Sequence, residues 1–325
     1  MKRRYFFFTA AAAATAGLSG CKGRVRGTGK PVVRFGHFPN ITHVQGLVAH
    51  NLSRHGKGWF EQRLGMEVQW YTYNAGPSAT EAIFARSLDV TYIGPSPTLN
   101  AYAKSKGKEM RILAGAANGG TALIVRPEAG IQTAADFRGK TVATPQLGNT
   151  QDVQARAWLL EQGLNVTLTG GDVAILPTQS ADQLGLFQKG DLDAVWAAEP
   201  WAARLEVEAN GKVFLEDKET NVTLLAASAA FVREQRDLAA KLVAAHKELT
   251  IWIQEHAAEA REHIKDELKA LTTATPGDAV LDRALARTLI TNDISRASLE
   301  KMVGQAQKVG FLKGIPDLTE LLPTL

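Results

Sequence analysis

The sequence predicts an α/β protein of two lobes. Short β-type runs alternate with stretches of helical period from Pro31 to Ala197, the pattern of an open, mainly parallel sheet. The chain has 325 residues, 45% hydrophobic and 22% charged, which is more than one compact core holds and suits units of about 100–150 residues. There is also an internal echo. Ser78-Ala79-Thr80-Glu81 through Leu88-Asp89-Val90 to Pro95 reads helix, tight turn, buried strand and proline-bearing loop. Ser180-Ala181-Asp182-Gln183 through Leu192-Asp193-Ala194 to Pro200 reads the same way. The echo fits two related lobes, and equally a chance likeness between two such units of one sheet.

In chain order, Pro31–Gly36 is a strand closed by glycine, and Pro39-Asn40-Ile41-Thr42 carries turn and N-cap chemistry. Val44, Leu47, Val48 and Leu52 recur at helical spacing from His43 to Arg54. Met66–Tyr71 alternates as a strand, Asn74–Ser78 is a loop, and Thr80–Ser87 is a helix. Asp89–Ile93 is a strand, and Gly94-Pro95-Ser96-Pro97 opens a helix through Lys104. Arg111–Ala117 and Ala122–Val125 are strands, separated by Asn118-Gly119-Gly120-Thr121. The order then recurs: strand Thr141–Ala143, loop Gly148–Thr150, helix Gln151–Gln162, strand Val173–Leu176, helix Ser180–Gln188, strand Ala194–Ala197. Residues 229–268 are Ala-rich and helical in period, and residues 278–312 hold more helix.

The N-terminus reads as an export signal. Lys2-Arg3-Arg4 precedes an apolar run, Tyr5–Leu18, too short to remain as a membrane span. Leu18-Ser19-Gly20-Cys21 resembles a lipobox, which implies cleavage after residue 20 and acylation of Cys21. Arg3-Arg4-Tyr5-Phe6-Phe7 resembles a twin-arginine signal, and equally a general secretory leader. Residues 21–30, basic and Gly-rich, read as a flexible tether. The formal charge of +4 owes three units to the leader, leaving 34 basic against 33 acidic side chains. A chain so near neutrality has no global pull toward nucleic acid. Cys21 is the single cysteine, so no intrachain disulfide or thiolate metal cluster forms.

Nucleophile-elbow, phosphate-loop and zinc-protease signatures are absent from the sequence. His37, His43, His50 and His55 fall close together, but 55 lies about 140° from 50 on a helix, and no acidic ligand stands among them. Neither a metal nor a cofactor is expected, and His37 is kept as a ligand contact. Four strand-to-helix joints carry small polar loops: His37–Thr42, Gly76–Ser78, Gly94–Pro97 and Gly148–Thr150. Helix N-termini there present unpaired N–H groups and a positive dipole end, which suit oxyanions without a Lys or Arg. In open α/β sheets such joints gather at the carboxyl edge. Any single joint is ordinary capping; four together point to binding. Trp196 is read as a cover for an aliphatic ligand stem, and equally as core. Glu199 is read as fixing a hinge or accepting a ligand donor.

Four ordered stretches carry a family resemblance: VRFGHFPNITH, YNAGPSATEAIFARSLDVTYIGPSPTLNAYAKSKG, GGTALIVRPEAGIQTAADFRGKTVATPQLGNTQD and LFQKGDLDAVWAAEPWA. Together they resemble the substrate-binding lipoproteins of bacterial ABC importers for nitrate, taurine and aliphatic sulfonates. The resemblance implies a type II periplasmic-binding fold with a ligand cleft between lobes, residues 31–118 plus 223–325 forming one lobe and 119–222 the other. It implies a monomeric, membrane-anchored receptor that hands a small anion to an ABC permease. Its cleft positions map to His37, Phe38, Asn40, Thr42, Gly76, Pro77, Ser78, Pro95 and Ser96 in the first lobe. In the second they map to Gly119, Gly120, Asn149, Thr150, Trp196 and Glu199. The loop His37-Phe38-Pro39-Asn40 departs from the Gln- or Lys-bearing loop of sulfonate binders. The alternatives are a binding protein or cytosolic enzyme for a thiamine-pyrimidine precursor, and a sensor partnering a membrane kinase.

Overall fold

The structure, a computed structural model, describes residues 32–314 and 317–324; the leader, Cys21 and the tether lie outside the described residues. Strand β1 (Val32–His37) leads through a 3-10 turn (Ile41–His43) into α1 (Val44–Arg54). Helix α2 (Trp59–Leu64), which the sequence pattern did not mark, precedes β2 (Glu67–Thr72). The expected loop 74–78 is shorter than its composition suggested. Helix α3 (Gly76–Phe84) begins at Gly76, because Pro77 occupies a first-turn position that needs no N–H. Strand β3 (Val90–Ile93), α4 (Pro95–Lys104) and β4 (Met110–Gly119) follow. Next come β5 (Thr121–Val125), β6 (Thr141–Thr144), α5 (Thr150–Glu161), β7 (Ala174–Pro177), α6 (Ser180–Lys189) and β8 (Ala194–Ala198). The chain continues with α7 (Trp201–Ala209), β9 (Lys212–Asp217) and β10 (Asn221–Ser228). It closes with α8 (Ala229–Glu234), α9 (Arg236–Glu255), α10 (Ala257–Thr272), α11 (Asp278–Arg287), β11 (Thr288–Ile290) and α12 (Arg296–Lys308).

The strands form two sheets, ordered β11-β4-β10-β3-β1-β2 and β7-β6-β8-β5-β9. The expectation of mainly parallel sheets needs correction. β1 runs parallel to β2 and β3, and β6 to β7 and β8, but β4, β5, β9, β10 and β11 pair antiparallel. Parallel neighbours need a helical crossover, whereas β4 passes into β5, and β9 into β10, through a few residues between sheets. The first passage is Gly119-Gly120, where both glycines hold left-handed φ of 65° and 67°. A β-carbon on Gly120 would collide with Thr42 and Thr288, so this turn needs glycine for both conformation and space.

The internal echo falls on equivalent places. β3 stands between parallel β1 and antiparallel β10, as β8 stands between parallel β6 and antiparallel β5. Each sheet is covered on both faces. On the first, Val33, Phe35, Leu47 and Leu249 pack on one side, and Ile83, Leu99, Leu224 and Met302 on the other. On the second, Phe137, Val142, Leu159 and Trp196 face Ile124, Phe187, Val195 and Leu205 across the sheet. Phe35 stacks on Trp70 at 4.8 Å and on Tyr92 at 5.3 Å, which locks the centre of the first sheet. No helix among the described residues is long and apolar enough to cross a membrane.

Candidate ligand cleft

The four joints expected from the sequence converge. Phe38, Asn40 and Thr42 after β1, Gly76 at the start of α3, Gly94 and Pro97 at the start of α4, and Asn149 and Thr150 at the start of α5 line one void between the sheets. All follow the carboxyl ends of strands, where an open α/β sheet leaves its helix N-termini facing a ligand. The lining also includes His43, Asn74, Pro145, Gln151 and Val222, which the sequence did not nominate. The lining contains no Lys, Arg, Asp or Glu. Its polarity is that of amides, hydroxyls, one imidazole and backbone N–H groups.

The helix starts differ in how they are capped. At α5 the Asn149 side chain accepts from Asp152 N at 2.8 Å, so that end is partly satisfied. Neither Ala75 at α3 nor Gly94 at α4 provides a side-chain cap. His43 is 2% exposed and lies against Phe38, with ring centroids 4.3 Å apart. Burial lowers its pKa to about 3, so it is a neutral ring, and its Nδ1 finds no hydrogen-bond partner.

The two rims touch. Ser96 Oγ donates to Gly148 O at 3.1 Å, Asn74 Nδ2 donates to Pro145 O at 3.1 Å, and Ser78 Oγ pairs with the Gln146 amide. Deeper in, Trp201 Nε1 donates to Asn40 Oδ1 at 2.8 Å and Ile41 N donates to Glu199 O at 2.7 Å. The space left is about 20 Å³, enough for about one water. The cleft is therefore closed on itself.

Pro77, Ser78, Pro95 and Ser96 stand at the rims as expected, opening α3 and α4. Five expected contacts lie elsewhere. His37 is fully buried on the opposite face of β1, its Nε2 2.9 Å from His50 Nδ1 and its ring edge-on to Trp70. Its alternation with Val33 and Phe35 puts it in the core, a period-2 signal already present in the sequence. Trp196 packs with Trp158 and donates to Thr121 Oγ1 at 3.2 Å, lining a separate groove beside α12. Gly119 and Gly120 form the passage between sheets rather than a ligand wall.

Glu199, expected to fix a hinge or accept a ligand donor, is fully buried and lies off the lining of the void. Its carboxylate pairs with Arg287 and accepts from Ala203 N at 3.0 Å. Burial pushes it up to about 7, with Arg287 acting against that rise. Arg287 also holds Glu206 at 2.8 Å and Glu216 at 3.3 Å, tying α11 to the second sheet. Nothing near Glu199 in sequence foretells a partner 88 residues away.

The chain matches the NMT1-like family over residues 26–266. It is 25% identical over 254 residues to a protein of Bacillus subtilis (strain 168) named for binding aliphatic sulfonates, covering 75% of this chain and 74% of that one. Among solved structures it is similar to the alkanesulfonate-binding protein SsuA from Xanthomonas axonopodis pv. citri bound to MOPS. That match has a TM-score of 0.68 and 18% identity over 91% of this chain and 96% of that one. The periplasmic nitrate-binding protein NrtA from Synechocystis PCC 6803 matches with a TM-score of 0.69 and 15% identity, covering 87% and 82%. These likenesses fix the two-lobed periplasmic-binding fold.

Proposed function

The chain belongs to the NMT1-like family, and from that premise we propose that it is the solute-binding component of an ABC importer that captures an aliphatic sulfonate or a similar small oxyanion. The observation that carries this reading is the convergence of the α3, α4 and α5 N-termini on a lining without a charged side chain. Fixed N–H groups and hydroxyls stabilise an anion, and the absence of carboxylates spares it repulsion. Phe38 supplies apolar surface for the organic part. A ligand of this size needs more than about 20 Å³, so the rims part to admit it and close again by hinge motion at residues 119–120 and 218–220. In this reading residues 119–222 form one lobe, the remainder of the mature chain forms the other, and Cys21 carries the lipid that holds a monomeric receptor at the membrane beside its permease. The protein acts without chemistry on its ligand.

Calorimetry on the purified protein tests the ligand class, using ethanesulfonate, taurine, nitrate and an aminopyrimidine. Binding of one anion class with a 1:1 stoichiometry is the expected result. Binding of the uncharged pyrimidine and of no anion would sink the reading.

A further inference from the structure

We propose that His37, His50 and Glu267 form a binding site for one transition-metal ion, zinc being the best fit, on the face of β1 away from the cleft. Their ligand atoms, His37 Nε2, His50 Nδ1 and a Glu267 oxygen, lie within 4.8 Å of one another. His50 Nδ1 is the centre: it stands 2.9 Å from His37 Nε2 and 2.8 Å from Glu267 Oε1. The edges of a zinc tetrahedron with bonds of about 2.0–2.1 Å are about 3.4 Å, so side-chain rotations of about half an ångström fit the three atoms around an ion.

Protons alone serve this arrangement poorly. If His37 Nε2–H donates to His50 Nδ1, that nitrogen presents a lone pair to the carboxylate. If His50 Nδ1–H turns to Glu267, it must be shared with His37. One proton cannot join three lone pairs, whereas a divalent cation can. Glu267 has a fully buried side chain, and its Oε1 stands 2.8 Å from His50 Nδ1. Such an acceptor is costly unless something positive meets it.

The surroundings hold the ligands in place. Arg54 Nε donates to Glu267 Oε2 at 2.8 Å, which leaves Oε1 as a single-oxygen ligand. Trp70 stacks on His50 at 5.1 Å and meets His37 edge-on at 5.6 Å, which fixes both rings. His50 keeps 15% of its side chain exposed, so an ion has a route in from solvent. Two imidazoles with one carboxylate favour zinc, cobalt or nickel over magnesium or calcium, which take oxygen sets. The sequence hid the site because its acid comes from α10, 217 residues after His50. The proposal is independent of what the cleft binds.

The test is Zn²⁺ titration of the chelator-treated full chain by calorimetry, with the thermal midpoint followed in parallel. One ion per chain and a raised midpoint reversed by chelator are expected. His50→Ala should weaken binding by at least about 100-fold, while His55→Ala and His263→Ala, neighbours that supply no ligand atom, should not. Absence of stoichiometric binding, or binding lost in His263→Ala and kept in His50→Ala, overturns the proposal. Should His50→Ala fail to fold, Co²⁺ spectra of the wild-type chain decide. Intense visible bands of a four-coordinate nitrogen-bearing site support it, and the pale spectrum of hydrated Co²⁺ overturns it.

Discussion

At the scale of single residues, Gly94 is the position where closure is most exposed to test. Its backbone is ordinary, with φ of −72°, so alanine there carries no conformational strain. Yet a β-carbon at Gly94 would collide with Thr150 Oγ1, across the cleft. Gly94→Ala should therefore act as a wedge, weakening ligand binding by about tenfold or more, about 1.4 kcal/mol, with little change in the unliganded thermal midpoint. Adding Thr150→Ala removes the colliding oxygen and should restore much of the affinity; failure of that rescue would locate the effect elsewhere.

Three buried histidines, His37, His43 and His246, set a pH response. His246 accepts from Tyr92 OH at Nδ1 and donates to Gly115 O from Nε2, at 2.9 and 2.8 Å, so the fold holds it neutral. Its pKa falls to about 4, and those of His37 and His43 to about 3, chiefly through burial. From these values up to about 6.5 the unfolded chain binds more protons, so each group adds up to about 1.4 kcal/mol of stability per pH unit as pH rises. That stability is complete above about 6.5 and is lost as pH falls. Glu199, raised to about 7, acts in the opposite sense between its ordinary value and 7, one group against three. Urea midpoints should be lower at pH 5 than at pH 6.5. A higher midpoint at pH 5 would contradict this account.

At the scale of elements, the strand–loop–helix joints were legible because Gly, Pro, Ser and Thr at a helix start have few other uses. The alternation also showed which helices follow which strands. Long-range pairing was not legible. The return strand β10 reads as an Ala-rich run, and nothing local in Asn221–Ser228 says that it lies between β3 and β4. Trp196 was ambiguous for a similar reason: β8 is buried on both faces, so alternation gives no side to prefer. The strap formed by α11 and β11 was invisible, since its anchor Arg287 works through Glu199, Glu206 and Glu216, far off in sequence. Arg287 is 7% exposed on its side chain, and its removal strands buried carboxylates. Arg287→Ala should destabilise the protein by about 3–5 kcal/mol, measured by urea unfolding. A loss under about 1 kcal/mol would mean that the strap is a bystander.

At the scale of the whole molecule, length and alternation foretold two lobes, and the echo between residues 78–95 and 180–200 marks equivalent places in their sheets. The direction of the connecting strands was misjudged, because sequence alternation does not reveal where a chain leaves one sheet for another. That passage has a consequence for how the protein comes into being. Every strand of the second sheet lies between residues 121 and 217, so its pairing can be completed before β10 has been synthesised. The first sheet cannot do the same, since β3 and β4 are joined only once β10 slides between them. The part of the chain made first is therefore finished last, and it waits with two open strand edges, the usual hazard for mispairing. Pulse-labelled hydrogen exchange during refolding should show amides of β5, β6 and β8 protected before those of β4 and β10; simultaneous protection would mean that the two sheets assemble as one.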